Sequence, residues 1–171
     1  MVTTTRPGLA RARAAAEQVV DPELPMLTLA DLGVLREVEI SGETVVVSIT
    51  PTYSGCPALR EMRADIDDRL RAAGFDDVEV RTVLDPPWST DLISDAGRRK
   101  LAEHGIAPPG TAPQRAPGPV PLTLQAPVAR VGCPRCGSPE TEEISRFGST
   151  ACKALRRCRS CQEPFEHIKE I

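Results

Sequence analysis

Four of the six cysteines fall into two C-x-x-C pairs, Cys133-Pro-Arg-Cys136 and Cys158-Arg-Ser-Cys161, with 21 residues between the pairs. Thiols at that spacing hold one tetrahedral metal ion, and two strands span the interval between them. The flanking strand-like stretches, residues 141–147 and 164–171, are too short to make a stable core. A bound metal is therefore expected to supply much of the folding free energy, on the order of 10 kcal/mol as a binding term at neutral pH. Four sulfurs suit zinc or, in a rubredoxin-type site, iron, and zinc is the expected ion. Residues 130–171 thus read as a zinc ribbon with Cys133, Cys136, Cys158 and Cys161 as ligands.

Upstream of the ribbon, residues 107–127 hold seven prolines and show no apolar period until their end. Such a stretch is an extended, semi-stiff spacer. It divides the chain into a first domain over 8–106, a linker over 107–129 and the ribbon. Charge divides in the same way: residues 1–107 carry 12 basic and 18 acidic side chains, whereas 130–171 carry 8 and 6. With one Trp, one Tyr and three Phe in the chain, the first domain's core must be built from Val, Leu, Ile and Ala.

Residues 9–20 have high helix propensity and an apolar stripe of Leu9, Ala12, Ala16, Val19 and Val20, stopped by Asp21-Pro22. Two β-branched runs, 34–40 and 44–50, flank Ser41-Gly42-Glu43 and read as an antiparallel hairpin. Leu59, Met62, Ile66 and Leu70 then recur at helical spacing from Pro57 until Gly74, and Val78–Val83 forms a third strand. This order predicts an α+β domain with helices on one face of a sheet. Beyond it, the proline-framed Trp88 reads as a lid over the core, and residues 95–104 as a short helix ended by Gly105.

Cys56 stands at the end of Thr50-Pro-Thr-Tyr-Ser-Gly-Cys-Pro57, directly before the predicted helix. Helix-terminal N–H groups and the macrodipole favour a thiolate there, the form that binds metals, whereas burial favours an inert structural thiol; position alone leaves both open. The acidic turn Asp21-Pro-Glu23 either faces a ligand or caps its own loop. Cys152 reads as a replacement ligand, a thiol activated by Lys153, Arg156 and Arg157, or a buried residue. His104 suits a helix C-terminus, and His167 has the wrong spacing to complete the knuckles.

The absence of an 18-residue apolar run and of a signal-peptide core points to a cytoplasmic protein with no membrane partner. In that reducing setting six cysteines favour metal or redox chemistry over disulfides. The ribbon's Lys153, Arg156, Arg157 and Arg159 raise nucleic-acid binding, but the acidic first domain and scarce aromatics count against it.

Asp21-Pro-Glu-Leu-Pro25, Asp31-Leu-Gly33 and the segment 50–57 resemble the small α+β family of iron-sulfur assembly factors that includes the bacterial SufT-type proteins, over roughly residues 9–84. Asp85-Pro-Pro-Trp88, Gly97-Arg-Arg-Lys-Leu101, Gly105-Ile-Ala-Pro-Pro109 and Phe147-Gly-Ser-Thr-Ala-Cys-Lys-Ala-Leu155 resemble one branch of it, the D proteins of phenylacetate degradation. That resemblance implies an accessory role in aerobic phenylacetate catabolism, beside a di-iron phenylacetyl-CoA epoxidase and its iron-sulfur, flavin-containing reductase as partners. It implies maturation of their metal centres rather than catalysis. The chain itself shows no paired Glu and Glu-x-x-His pattern and no Gly-rich nucleotide fingerprint. The family's reactive cysteine maps onto Cys56, with Asp21 and Glu23 as neighbours, and implies a transient iron or iron-sulfur ligand completed by a client or by a second protomer of a homodimer. The alternative is a structural adaptor docking on the epoxidase or reductase through its ribbon, with no chemistry at Cys56.

Overall fold

The computed structural model describes residues 6–53, 55–112 and 130–170. The chain divides into two compact units, Met1–Lys100 and Leu101–Ile171.

In the first unit, α1 (Arg6–Ala16) precedes the hairpin of β1 (Leu35–Ser41) and β2 (Thr44–Ile49), followed by α2 (Leu59–Ala72) and β3 (Val78–Thr82). β1 pairs antiparallel with β2, and β3 joins the other side of β2 in parallel, making a mixed three-stranded sheet. α1 packs on β1, α2 on β3, and the helices on each other. Central β2 buries Val45, Val46, Val47 and Ile49, because a strand with neighbours on both sides has little solvent-facing surface to offer.

α2 follows its sequence pattern. Met62, Ile66 and Leu70 are buried along one stripe, each worth about 1.5–3 kcal/mol of transfer free energy. Glu61 in the first turn and Arg69 and Arg71 in the last complement the macrodipole. The helix ends in a Schellman motif: Gly74, at φ +87°, donates to Arg71 O, and Phe75 N donates to Leu70 O. α1 stops at Ala16, short of the expected Val20. The β-branched Val19 and Val20 leave the helix for a bridge between Val20 and Thr28, with Leu29 N donating to Val19 O.

A hub at Asp31 ties the 27–34 segment to the start of α3 (Asp95–Glu103). Its carboxylate accepts from Thr28 N at 3.1 Å and Ser94 Oγ at 3.4 Å and pairs with Lys100 Nζ at 2.6 Å. Thr28 Oγ1 in turn accepts from Asp31 N, and Ser94 Oγ caps Gly97 N. Gly97 is required, since a Cβ there would lie 2.8 Å from Asp31 O. Trp88 is buried as expected, with its indole N–H donating to Leu32 O at 2.8 Å.

In the second unit, β4 (Ile106–Ala107), β5 (Thr141–Ser145), β6 (Lys153–Cys158) and β7 (Pro164–Ile168) form one sheet in the order β4-β7-β6-β5. β4 was not expected. Ile106 and Ala107, just past Gly105 at φ +75°, pair in parallel with Glu166 and His167. The two compact units divide inside α3, after Lys100. Most of the expected linker, residues 113–129, lies outside the described residues. Ala107, Val131, Cys133, Cys158 and Phe165 form the small buried core of this unit.

Candidate functional site

The two C-x-x-C turns are built alike. In each, the first cysteine's N–H donates to the carbonyl five residues on: Cys133 to Ser138 at 2.9 Å, and Cys158 to Glu163 at 3.0 Å. In each, the residue after the second cysteine is left-handed, Gly137 at φ +73° and Gln162 at φ +63°. Gln162 accepts that conformation without being glycine, and its Nε2 donates to Arg159 O at 2.7 Å. A hydrogen bond of 2.7 Å between Ser138 Oγ and Ser160 Oγ joins the two turns.

This duplication brings all four sulfurs within 4.8 Å of one another. Cys133 and Cys161 are 3.7 Å apart and Cys136 and Cys158 3.6 Å, too long for disulfides. Four sulfurs within 4.8 Å of one another lie close enough to share one ion, zinc–thiolate bonds being about 2.3 Å long. Cys133 and Cys158 are buried, and Cys136 and Cys161 are exposed.

The thiols do not titrate alike. The Cys161 N–H points at the Cys158 sulfur from 3.5 Å and outweighs burial. With the Ser160 N–H and the adjacent thiols, it brings Cys158 down to about 6. A backbone N–H from Glu163 lowers Cys161 in the same manner, but burial and the three neighbouring sulfurs push it up to about 12. At Cys136 the Ser138 N–H is outweighed by Cys158 and burial, and the thiol rises. Four sulfurs this close cannot all ionise against one another, and a central cation removes that repulsion. The four thiols together could hold a metal ion.

Cys152 stands outside the cluster. It is half-buried in the turn before β6, with its sulfur 3.0 Å from Thr150 Oγ1 and its carbonyl accepting from Lys169 N. The cations expected to activate it or to contact nucleic acid are committed to glutamates: Lys153 to Glu166, Arg156 to Glu143, and Arg157 and Arg159 to Glu142. His167 is buried, which lowers its pKa and holds it neutral at pH 7, with Nε2 3.5 Å from Glu170. His104 is exposed past the end of α3.

Cys56 lies in the first unit, half-buried. The helix after it starts later than the sequence suggested. Pro57 and Ala58 make a turn in which Leu59 N donates to Cys56 O at 3.3 Å, and the first α-type bond runs from Met62 N to Ala58 O. Cys56 therefore precedes the N-cap, Ala58, by two residues, and that cap offers no side-chain bond. The loop itself leaves the carboxyl end of β2, beside the carboxyl end of its parallel neighbour β3. Thr50 N, at its start, donates to Val34 O.

The acidic turn is tied to the same connecting stretch, with Asp21 N donating to Leu27 O and Val34 N to Leu29 O. The Asp21 side chain is buried, and its Oδ1 accepts from Glu23 N at 2.9 Å and Leu24 N at 2.8 Å. That is the loop-capping arrangement of an Asx turn.

Across its full 171 residues the chain is 43% identical to a protein of Escherichia coli (strain K12) provisionally named as a subunit, the D component, of 1,2-phenylacetyl-CoA epoxidase, covering 98% of that protein. The chain belongs to the PaaD family. The profile of the PaaD zinc beta ribbon domain matches residues 117–169, which include the four clustered cysteines. The profile of the iron-sulfur cluster assembly protein family matches residues 9–84, which include Asp21, Glu23 and Cys56. This PaaD-family chain is also 35% identical over 86 residues to the Fe-S protein maturation auxiliary factor YitW of Bacillus subtilis (strain 168), covering 47% of this chain and 79% of that one. A crystal structure of a domain of unknown function, DUF59, from Bacillus anthracis matches with a TM-score of 0.51 at 28% identity. It covers 56% of this chain and 92% of that chain. None of the helices among the described residues is long and apolar enough to cross a membrane.

Proposed function

We propose that this protein is an accessory maturation factor of a phenylacetyl-CoA epoxidase system, cytoplasmic, which passes iron or an iron-sulfur centre to an epoxidase or reductase subunit through Cys56. The observation that carries this reading is the full-length similarity to the D component of an epoxidase, joined in one chain to an iron-sulfur assembly domain that contains Cys56.

In this reading the metal cargo is the substrate. Cys56 binds the cargo as one thiolate, its proton going to solvent water, and the other ligands come from a client or from a second protomer, since a cluster normally takes four protein ligands. Transfer is then ligand exchange, with no change of oxidation state required. The half-exposed thiol suits such exchange, and Asp21, committed to Glu23 N and Leu24 N, acts by holding its loop. The ribbon ion is zinc, resident and structural.

The test is metal and acid-labile sulfide analysis of anaerobically purified wild type beside Cys56→Ser, with client activation in parallel. Iron and sulfide lost in the variant while one zinc per chain remains is the expected result. A client whose iron content and activity are unchanged by Cys56→Ser would refute the proposal.

The second reading, an adaptor docking through its ribbon, is favoured by the exposure of Phe147 and Ile144. It expects a stoichiometric complex that survives Cys56→Ser and is lost with Cys158→Ser.

A further inference from the structure

Phe147, in the connection after edge strand β5, is 68% exposed, and Ile144, within β5, is 52% exposed. Neither is a loose surface residue. Ile144 sits at a register break in edge strand β5, where Glu143 faces Arg156 and Ser145 faces Leu155, so the side chain between them is an extra residue in the ladder. Bulges of this kind re-aim a side chain.

Phe147 is held from three directions. Ser145 Oγ donates to Phe147 O at 2.9 Å and accepts from Phe147 N at 3.2 Å. Lys169 Nζ donates to Arg146 O and lies 4.9 Å from the centroid of the Phe147 ring. The following residues are locked by Glu166, which accepts from Ser149 N at 2.7 Å and pairs with the buried Lys153, while Gly148 N donates to Lys153 O. A Cβ on Gly148 would lie 2.8 Å from Glu166 Oε1. The backbone on both sides of Phe147 is thus fixed by side-chain hydrogen bonds while its ring stays exposed.

The rim is cationic. Arg146 and Lys169 make no ion pair among the described residues, whereas the neighbouring Arg156, Arg157 and Arg159 are matched by Glu142 and Glu143.

We infer that Phe147 is a docking knob that enters an apolar pocket rimmed by carboxylates on a partner protein, with Arg146 and Lys169 meeting the carboxylates and Ile144 an exposed apolar residue of the preceding edge strand. A second copy of this chain is a poor match at its α1–α2 groove, whose rim carries Arg11 and Arg69, cations of the same sign. The choice of partner rests on the epoxidase reading, and the knob deepens the adaptor role. Ordered aromatics in such pockets are the residues that dominate interface energies.

The test titrates full-length wild type, Phe147→Ala and Arg146→Glu against purified epoxidase and reductase subunits, with zinc content and thermal melting as folding controls. One of these subunits is expected to bind. Phe147→Ala should weaken that binding about thirty-fold with zinc and melting unchanged. Arg146→Glu should weaken it several-fold and flatten its salt dependence. Binding that Phe147→Ala leaves intact overturns the knob. Absence of wild-type binding to every subunit overturns the choice of partner, and self-association lost in Phe147→Ala overturns the heterologous partner. None of these outcomes depends on Cys56, so the iron-transfer reading stands or falls separately.

Discussion

Replacing Asp31 measures what its motif does. The carboxylate serves Thr28 N, Ser94 Oγ and Lys100 Nζ, and its side chain is 13% exposed against 41% for Lys100. An ion pair that exposed is worth less than about 1 kcal/mol. The bond to Thr28 closes the half-buried loop and the bond to Ser94 ties it to the start of α3, and losing them leaves an N–H without its acceptor, a cost of about 1–3 kcal/mol that adds to the ion pair. Asp31→Ala should therefore destabilise the first unit by about 2–3 kcal/mol, and Lys100→Met by less than about 1 kcal/mol.

The sole tryptophan, Trp88, is buried in the same unit, so urea unfolding followed by its fluorescence reads the loss directly. The pH dependence adds a second check. Burial raises the Asp31 pKa, but the bonds from Lys100 and Thr28 outweigh it and hold the group below its ordinary value of 3.8. Its contribution is thus complete above the unfolded value and is lost as pH falls through the lower folded one. The gap between wild type and Asp31→Ala should be flat from about pH 8 to 5 and narrow below about pH 4. A Lys100→Met loss equal to that of Asp31→Ala, or a gap that widens on acidification, would refute the reasoning.

Three further outcomes test local geometry. Chelation should strip hydrogen-exchange protection from Lys153–Cys158 and Pro164–Ile168, and protection that survives metal removal would contradict a metal-dependent ribbon; Cys152→Ser should keep one metal per chain, whereas Cys136→Ser should not. Gly33→Ala should cost about 3 kcal/mol or more, because its Cβ would lie 2.5 Å from Leu92 Cβ at φ +67°. Gly42→Ala, at φ +66° with nothing within 4 Å, should cost only about 1 kcal/mol, and equal losses in thermal or urea melts would remove Leu92 from the explanation.

The legible parts of this chain are those whose physics is local. The period of Met62, Ile66 and Leu70, the turn at Gly42 and the two C-x-x-C spacings each encode their own geometry, and the structure agrees with all three. What was not legible depends on distant partners. Ile106-Ala107 is too short to announce a strand and becomes one only against β7. Asp31 reads as part of a motif, yet its use comes from Ser94 and Lys100, more than sixty residues away. The repeat that pairs Cys133 with Ser138 and Cys158 with Glu163 was present as a spacing of five, a signal visible only once the two turns are overlaid.

The start of α2 alters how Cys56 can act. A helix dipole acts within its first turn, and Cys56 precedes the cap by two residues, so the dipole is a weaker source of thiolate than the sequence alone suggested. On the proposed reading, Cys56 is the one ligand this chain gives the cargo. A single sulfur bound on those terms holds its cargo loosely. The ribbon works the other way, with four sulfurs converging within 4.8 Å, two of them buried, and backbone N–H groups aimed at them. On the proposed reading, retention and release call for opposite ligand numbers, and Cys56 and the four-cysteine cluster lie in separate units.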